Sequence, residues 1–279
     1  MDVPHNQVFS PSTFQELFAS WSQFPDGVLF AGGTGLLFGQ GNRNLTLPPN
    51  VIGLSKISEL RRSTRTERYL EIGACVTLNE ILALGKIVPE ALSLSLQQTG
   101  TPQIRNLATI GGNLCCAHRR RDASAAMVAL DARYELRTAQ TSRWISAARF
   151  VPDSGPPLLG SQELLSRIRV PLEPWDYTLY RKMGDRGSRV ESNGVATFLA
   201  RAQKDILSEV RLVFAGAFIF RDRDIEAALT GKTLPLGNRE TSFFLDRWQN
   251  RLEGEKQIDP LVKDQLLHFI EAAVMGLSD

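Results

Sequence analysis

Cysteine is scarce in this chain: Cys75, Cys115 and Cys116 are the only three among 279 residues. An odd number with no C-x-x-C spacing argues against a disulfide framework. Three thiols also fall short of the four that an all-cysteine iron–sulfur cluster requires, so no such centre is expected in this chain. Histidine is as sparse. His5, His118 and His268 lie far apart and form no H-E-x-x-H or similar pair, so no protein-held metal is expected. No apolar run reaches the roughly 18 residues of a membrane helix. Met1-Asp2-Val3-Pro4-His5 has no charged stretch leading into an apolar one, so no secretory signal is expected and the cytoplasm is the expected compartment. An excess of one charge is missing too. The 32 Lys and Arg against 30 Asp and Glu leave a net +2, which argues against nucleic acid or an acidic membrane recruited by bulk electrostatics.

Glycine, by contrast, is placed to effect. Two turns, Ala31-Gly32-Gly33-Thr34-Gly35 and Thr109-Ile110-Gly111-Gly112-Asn113, follow or sit inside strongly apolar segments. Without a Cβ, successive N–H groups can converge on an anion at a distance any side chain would obstruct. Two such turns read as a two-part cradle for a dinucleotide diphosphate. The Rossmann fingerprint is not met: after Gly33 and Gly35 the next glycine is Gly39, one position late, and Gln40-Gly41-Asn42 breaks a helix begun at Leu36. A phosphate-binding Walker loop fails as well. Gly231-Lys232-Thr233 has the right tail, but Glu226 stands where the loop should open, and Gly231 reads as a helix C-terminal glycine.

Length and an ordinary 43% hydrophobic content suit two or three compact units. The first, residues 1–57, carries a helix near 13–22 capped by Ser12, a strand at Val28–Ala31, the first glycine turn and a strand at 50–54. The second, 58–172, holds a strand at 69–74 and a Thr77/Glu80 capping box opening a helix through Leu84. It continues with a helix from Pro89 to Leu96, the second glycine turn, a buried helix over 123–130, and strands at 133–137 and 169–172. The third, 173–279, has antiparallel strands near 175–181, 195–200 and 206–216, with helices at 225–230 and 261–277. The whole is α+β.

Three strings then become specific together: Ala31-Gly32-Gly33-Thr34; Gln103-Ile104-Arg105-Asn106-x-Ala108-Thr109-Ile110-Gly111-Gly112-Asn113; and Asp122 followed by Leu130-Asp131-Ala132. With Arg181-Lys182 and Ala227-Ala228-Leu229-Thr230-Gly231-Lys232, they resemble the FAD-binding medium subunit of molybdenum hydroxylases. That family includes the flavin subunits of xanthine dehydrogenase and carbon monoxide dehydrogenase. The resemblance implies two α+β subdomains of the PCMH type that clamp FAD, and a C-terminal α+β domain with an antiparallel sheet covering the flavin. It implies cofactor contacts from Ala31, Gly32, Gly33, Thr34, Gly35, Thr109, Ile110, Gly111, Gly112 and Asn113. Asp122 would accept from a ribose or ribitol hydroxyl, and Lys182 would approach the ring, where a cation stabilises charge gained on reduction. It further implies partners: a molybdopterin-binding large subunit, a [2Fe–2S] small subunit, and NAD or another electron acceptor.

Two departures stand out. Gly35 occupies a position that is commonly Asp or Ser in the family, and His118-Arg119-Arg120-Arg121 replaces small residues with a run of cations, a candidate for phosphate binding or for docking an acidic partner. Each residue also has a plainer reading. Asp122 can cap the helix beginning at Ala123, Lys182 can be a strand-edge cation, Ile110 can be core, and Cys115-Cys116 can be packing. For the whole chain, the alternatives are a flavin-fold module without turnover that serves assembly or binding, and a free-standing flavin oxidase.

Overall fold

Three sheets follow one another along the chain in the computed structural model, which describes residues 7–38, 40, 46–116, 122–150, 156–184, 194–216 and 218–278. The first has β1 (Gln7–Phe9), β2 (Val28–Phe30) and β3 (Asn50–Gly53) in the order β1-β3-β2, all parallel. Parallel strands cannot be joined by a tight turn, and α1 (Phe14–Gln23) is one of the two connections. It buries Leu17 and Phe18. Its cap is Thr13, not the expected Ser12. The Thr13 hydroxyl accepts from the Glu16 amide, while the Ser12 amide and hydroxyl donate to the Glu16 carboxylate at 2.7 and 2.9 Å. The capping arrangement is therefore set one residue later than expected.

After β2 the chain enters α2 (Thr34–Phe38) through the first glycine turn. The second sheet is antiparallel, with β4 (Ser63–Arg65), β5 (Tyr69–Gly73), β6 (Arg133–Arg137), β7 (Ser142–Ser146) and β8 (Leu164–Pro171) ordered β4-β5-β8-β6-β7. Period-two alternation is plain in β6, where Tyr134 and Leu136 are buried and Arg133 is exposed. Between β5 and β6 run α3 (Leu78–Leu82), α4 (Glu90–Gln97), α5 (Pro102–Arg105), α6 (Ile110–Leu114) and α7 (Ala123–Ala129); α8 (Ala147–Phe150) follows β7. The Thr77/Glu80 capping box forms in full, with both of its hydrogen bonds present.

The third sheet is antiparallel as expected: β9 (Tyr177–Met183), β10 (Gly194–Gln203), β11 (Ile206–Ala215) and β12 (Ile219–Phe220), ordered β12-β11-β10-β9. A short α9 (Arg223–Glu226) runs into a 3-10 turn, beyond which Gly231 takes φ +83, the left-handed geometry of a helix-terminating glycine. Then come α10 (Asn238–Glu253) and α11 (Pro260–Met275). The first of these, 16 residues long, is not among the expected elements.

The third sheet is buried on both faces, which is why β10 is nearly continuous in apolar residues. Val195, Leu199, Val213 and Ala215 join a core that takes in α7, the second sheet and the first helix. Ala196, Phe198, Leu212 and Phe214 face a second cluster built with Phe244, Trp248 and Leu252 of α10 and Phe269 and Ile270 of α11. All seven residues of α7 are buried, and four are alanine. Such small side chains let its backbone lie close to its neighbours β10, β11 and α4. No described helix is long and apolar enough to cross a membrane.

Candidate functional site

The first glycine turn leaves β2 at Phe30 and starts α2 at Thr34, with Gly33 at φ +70. Among the described residues the bond that closes it runs from the Leu37 amide to the Gly33 carbonyl at 3.0 Å. The amides of Gly32, Gly33, Thr34 and Gly35 find no acceptor among the described residues. Unpaired N–H groups at the surface are the requirement for holding an anion. Gly32 has a second constraint. A Cβ there would overlap the Leu107 carbonyl oxygen and come within 2.7 Å of its carbon, so the first turn lies directly against the segment that leads into the second.

That second turn is a helix rather than an open loop. Thr109 caps α6, its hydroxyl accepting from the Gly112 amide at 3.1 Å. Ile110 donates to Val76, Gly111 to Ala74 at 2.8 Å, and Asn113 to the Thr109 carbonyl. The amide cradle expected at Gly111–Asn113 is thus already satisfied internally. The glycine at 111 answers a packing need instead, since a Cβ would lie 2.7 Å from both the Cβ and the carbonyl oxygen of Ala74. Ile110 is wholly buried in the core. What the turn leaves unpaired is the Asn113 side chain, whose Oδ1 is buried with no hydrogen-bond partner among the described residues. An orphaned buried acceptor is costly, and it suits a ligand that brings a donor.

Asp122 precedes α7 but does not cap it, for its side chain makes no bond to the helix amides. Its Oδ2 takes the Lys182 ammonium of β9 at 3.0 Å, with the two side chains only 15% and 22% exposed. Lys182 also donates to the Gln98 carbonyl at 3.3 Å, and the Tyr180 hydroxyl donates to the Asp122 carbonyl at 3.1 Å. Burial, helped by the Asp122 charge, pushes the Tyr180 hydroxyl far above its ordinary range, so it remains a proton donor. Sixty residues separate Asp122 from Lys182, and no local signal links them. His118, Arg119, Arg120 and Arg121 lie outside the described residues.

Among the described residues no group of His, Cys, Asp or Glu could hold a metal ion, and no disulfide joins the cysteines. Burial raises the thiols of Cys75 and Cys115 to about 12, with Arg61 opposing the shift at Cys75 and Cys116 adding to it at Cys115. The Cys75 thiol, buried as well as raised, is therefore poorly reactive in the folded chain. A thiol reagent at about pH 8 should leave Cys75 unmodified in the folded chain and label it promptly after denaturation. Prompt labelling of Cys75 in the folded state would contradict the packing described.

Comparison with known proteins now places this architecture. Residues 4–173 match the family described as the FAD binding domain in molybdopterin dehydrogenase, and the chain belongs to that family. The nicotinate dehydrogenase FAD-subunit of Eubacterium barkeri is 33% identical over 153 residues, 53% of this chain and about half, 51%, of that protein. The nicotine 6-hydroxylase medium subunit of Paenarthrobacter nicotinovorans is 28% identical over 84% of this chain and 83% of its own length. The carbon monoxide dehydrogenase medium chain of Hydrogenophaga pseudoflava is 30% identical over 66% and 67%. Two solved structures share the fold: quinoline 2-oxidoreductase from Pseudomonas putida 86, with a TM-score of 0.82 at 21% identity over 100% of this chain and 97% of that one, and carbon monoxide dehydrogenase from Hydrogenophaga pseudoflava, with 0.83 at 23% over 99% and 98%.

Proposed function

We propose that this chain is the flavin-bearing electron-transfer subunit of a molybdenum hydroxylase complex, taking electrons from partner iron–sulfur clusters and passing them through FAD to NAD or another acceptor. The observation that carries the reading is the set of amides at Gly32–Gly35 that find no acceptor among the described residues, in a chain of an FAD-binding family, beside a segment that also presents Asn113 Oδ1, buried and without a partner among the same residues. Ala31 and the first-turn amides hold the diphosphate. Asn113 accepts from the cofactor. Thr109, although its oxygen serves Gly112, keeps its own hydroxyl hydrogen to donate. Ile110, Gly111 and Gly112 hold α6 in place behind them. Asp122 receives a sugar-chain hydroxyl, and Lys182 supplies a cation for the ring. When bound, FAD supplies a carrier able to exchange electrons singly or in pairs.

The three sheets support a division into FAD-binding subdomains over 1–57 and 58–172 and a C-terminal domain over 173–279. Three cysteines are too few for an all-cysteine cluster, so the relay belongs to a [2Fe–2S] small subunit and substrate oxidation to a molybdopterin-binding large subunit. Cys75 and Cys115, which join no disulfide, suit the cytoplasm. Reconstitution tests the reading. The chain with FAD should show slow flavin reduction by NADH or a dye, and turnover of a purine, an aldehyde or carbon monoxide only once the molybdenum and iron–sulfur subunits are added. Efficient oxidation of such a substrate by the chain alone would favour a free-standing oxidase. Failure of the subunits to exchange electrons with the flavin would favour a module that serves assembly.

A further inference from the structure

Arg105 stands at the end of α5, a helix of four residues opened by Pro102 and capped by Thr101. Its guanidinium reaches back across the loop. Nη1 donates to the carbonyls of Gln97, Thr99 and Gly100 at 3.0, 3.1 and 2.9 Å, and Nε donates to Asn79 Oδ1 at 3.2 Å. Gln97 is the last residue of α4, so one cation serves carbonyls at and just beyond that helix end, where positive charge is favourable. Asn79 in turn donates to the Asn106 side chain and the Pro102 carbonyl. Arg105 and Asn106 thereby fold the stretch from 97 to 106 into a closed knot tied to α3.

Both ends of that knot touch the site. Gln98, between the clasped carbonyls, presents its own carbonyl to Lys182. Leu107, the residue after Asn106, lies against Gly32, and its neighbour Ala108 accepts from the Leu78 amide at 2.9 Å. Resting on the FAD reading above, we propose that Arg105 is a positioning residue for the cofactor site. By clasping the carbonyls that follow α4, it holds the Lys182–Asp122 pair and the first glycine turn at a fixed separation. A lysine could not do this, because a single ammonium has neither the planar fork nor the reach to meet Asn79 and three carbonyls together.

The test is FAD titration of the full chain by flavin fluorescence, for the parent, Arg105→Ala, Arg105→Lys and Thr101→Ala. The last weakens the cap of the same helix and leaves the guanidinium in place. Both Arg105 variants should bind FAD about tenfold or more weakly, the loss expected when a charge-assisted set of hydrogen bonds is removed. Thr101→Ala should bind as the parent does. Millimolar guanidinium should recover binding in Arg105→Ala and leave the parent unchanged. If Arg105→Ala does not fold, Arg105→Lys carries the comparison. Arg105 variants that bind within twofold of the parent would overturn the inference, as would a loss matched by Thr101→Ala in step with melting temperature. A parent that takes up no FAD overturns the cofactor reading itself, and this inference with it.

Discussion

Gly32→Ala is expected to abolish FAD binding and to lower the melting temperature, more than any other single methyl added at the two turns. The new Cβ would overlap the carbonyl oxygen of Leu107 and sit 2.7 Å from its carbon, and both are main-chain atoms. They cannot swing aside as a side chain does. The Leu107 and Ala108 amides are bonded to the Ile104 carbonyl at 3.0 and 2.7 Å, so the segment is itself tied down. Forcing it outward costs about 3 kcal/mol, the upper end for overpacking. The same displacement separates the unpaired amides from the second turn, and affinity should fall about a hundredfold or beyond detection. Gly112→Ala is expected to be milder, since Gly112 is exposed and its Cβ would meet only the Thr109 hydroxyl, at 3.0 Å. Thermal melts and FAD titrations of the two variants decide the matter. Parent-like affinity in Gly32→Ala would remove the first turn from the site.

Asp122→Ala should be the next most damaging change. It leaves the Lys182 ammonium, 22% exposed, with the Gln98 carbonyl as its remaining partner among the described residues. Removing one member of a fully buried pair costs about 3–5 kcal/mol; access to water here brings the expectation to about 2 kcal/mol. FAD affinity should fall as well, because the carboxylate is lost and the cation is no longer oriented. In Asp122→Ala/Lys182→Met the unpaired charge is gone, so stability should recover above the sum of the single changes while FAD affinity does not. Strictly additive stabilities would mean that the pair does not interact as the geometry shows.

Local chemistry made much of the fold legible. The Thr77/Glu80 box, the alternation at 133–137 and the apolar stripes of α1 and α11 are written in adjacent residues, and the elements form there. α10 escaped because its polar content is high, although Phe244, Trp248 and Leu252 recur every four residues, a stripe that marks one buried face. β1 and β4 are strands of three residues, and β1 has no pattern of its own until β3 lies beside it. At the site, the glycines were visible but not all their reasons. Gly111 is required by Ala74 and Gly32 by Leu107, contacts across 37 and 75 positions that no window on the sequence displays. The same holds for Asp122 with Lys182, and for the carbonyls that Arg105 gathers.

The central claim is that this chain holds FAD noncovalently at the first glycine turn, Asn113 and the Asp122–Lys182 pair. Purification with added FAD, followed by absorbance before and after acid denaturation and by calorimetry on the apoprotein, tests it most directly. The account predicts a yellow protein carrying one flavin per chain that passes wholly into the supernatant on denaturation, with saturable binding to the apoprotein. A colourless protein with no calorimetric binding, or flavin that stays with the precipitated chain, would contradict it.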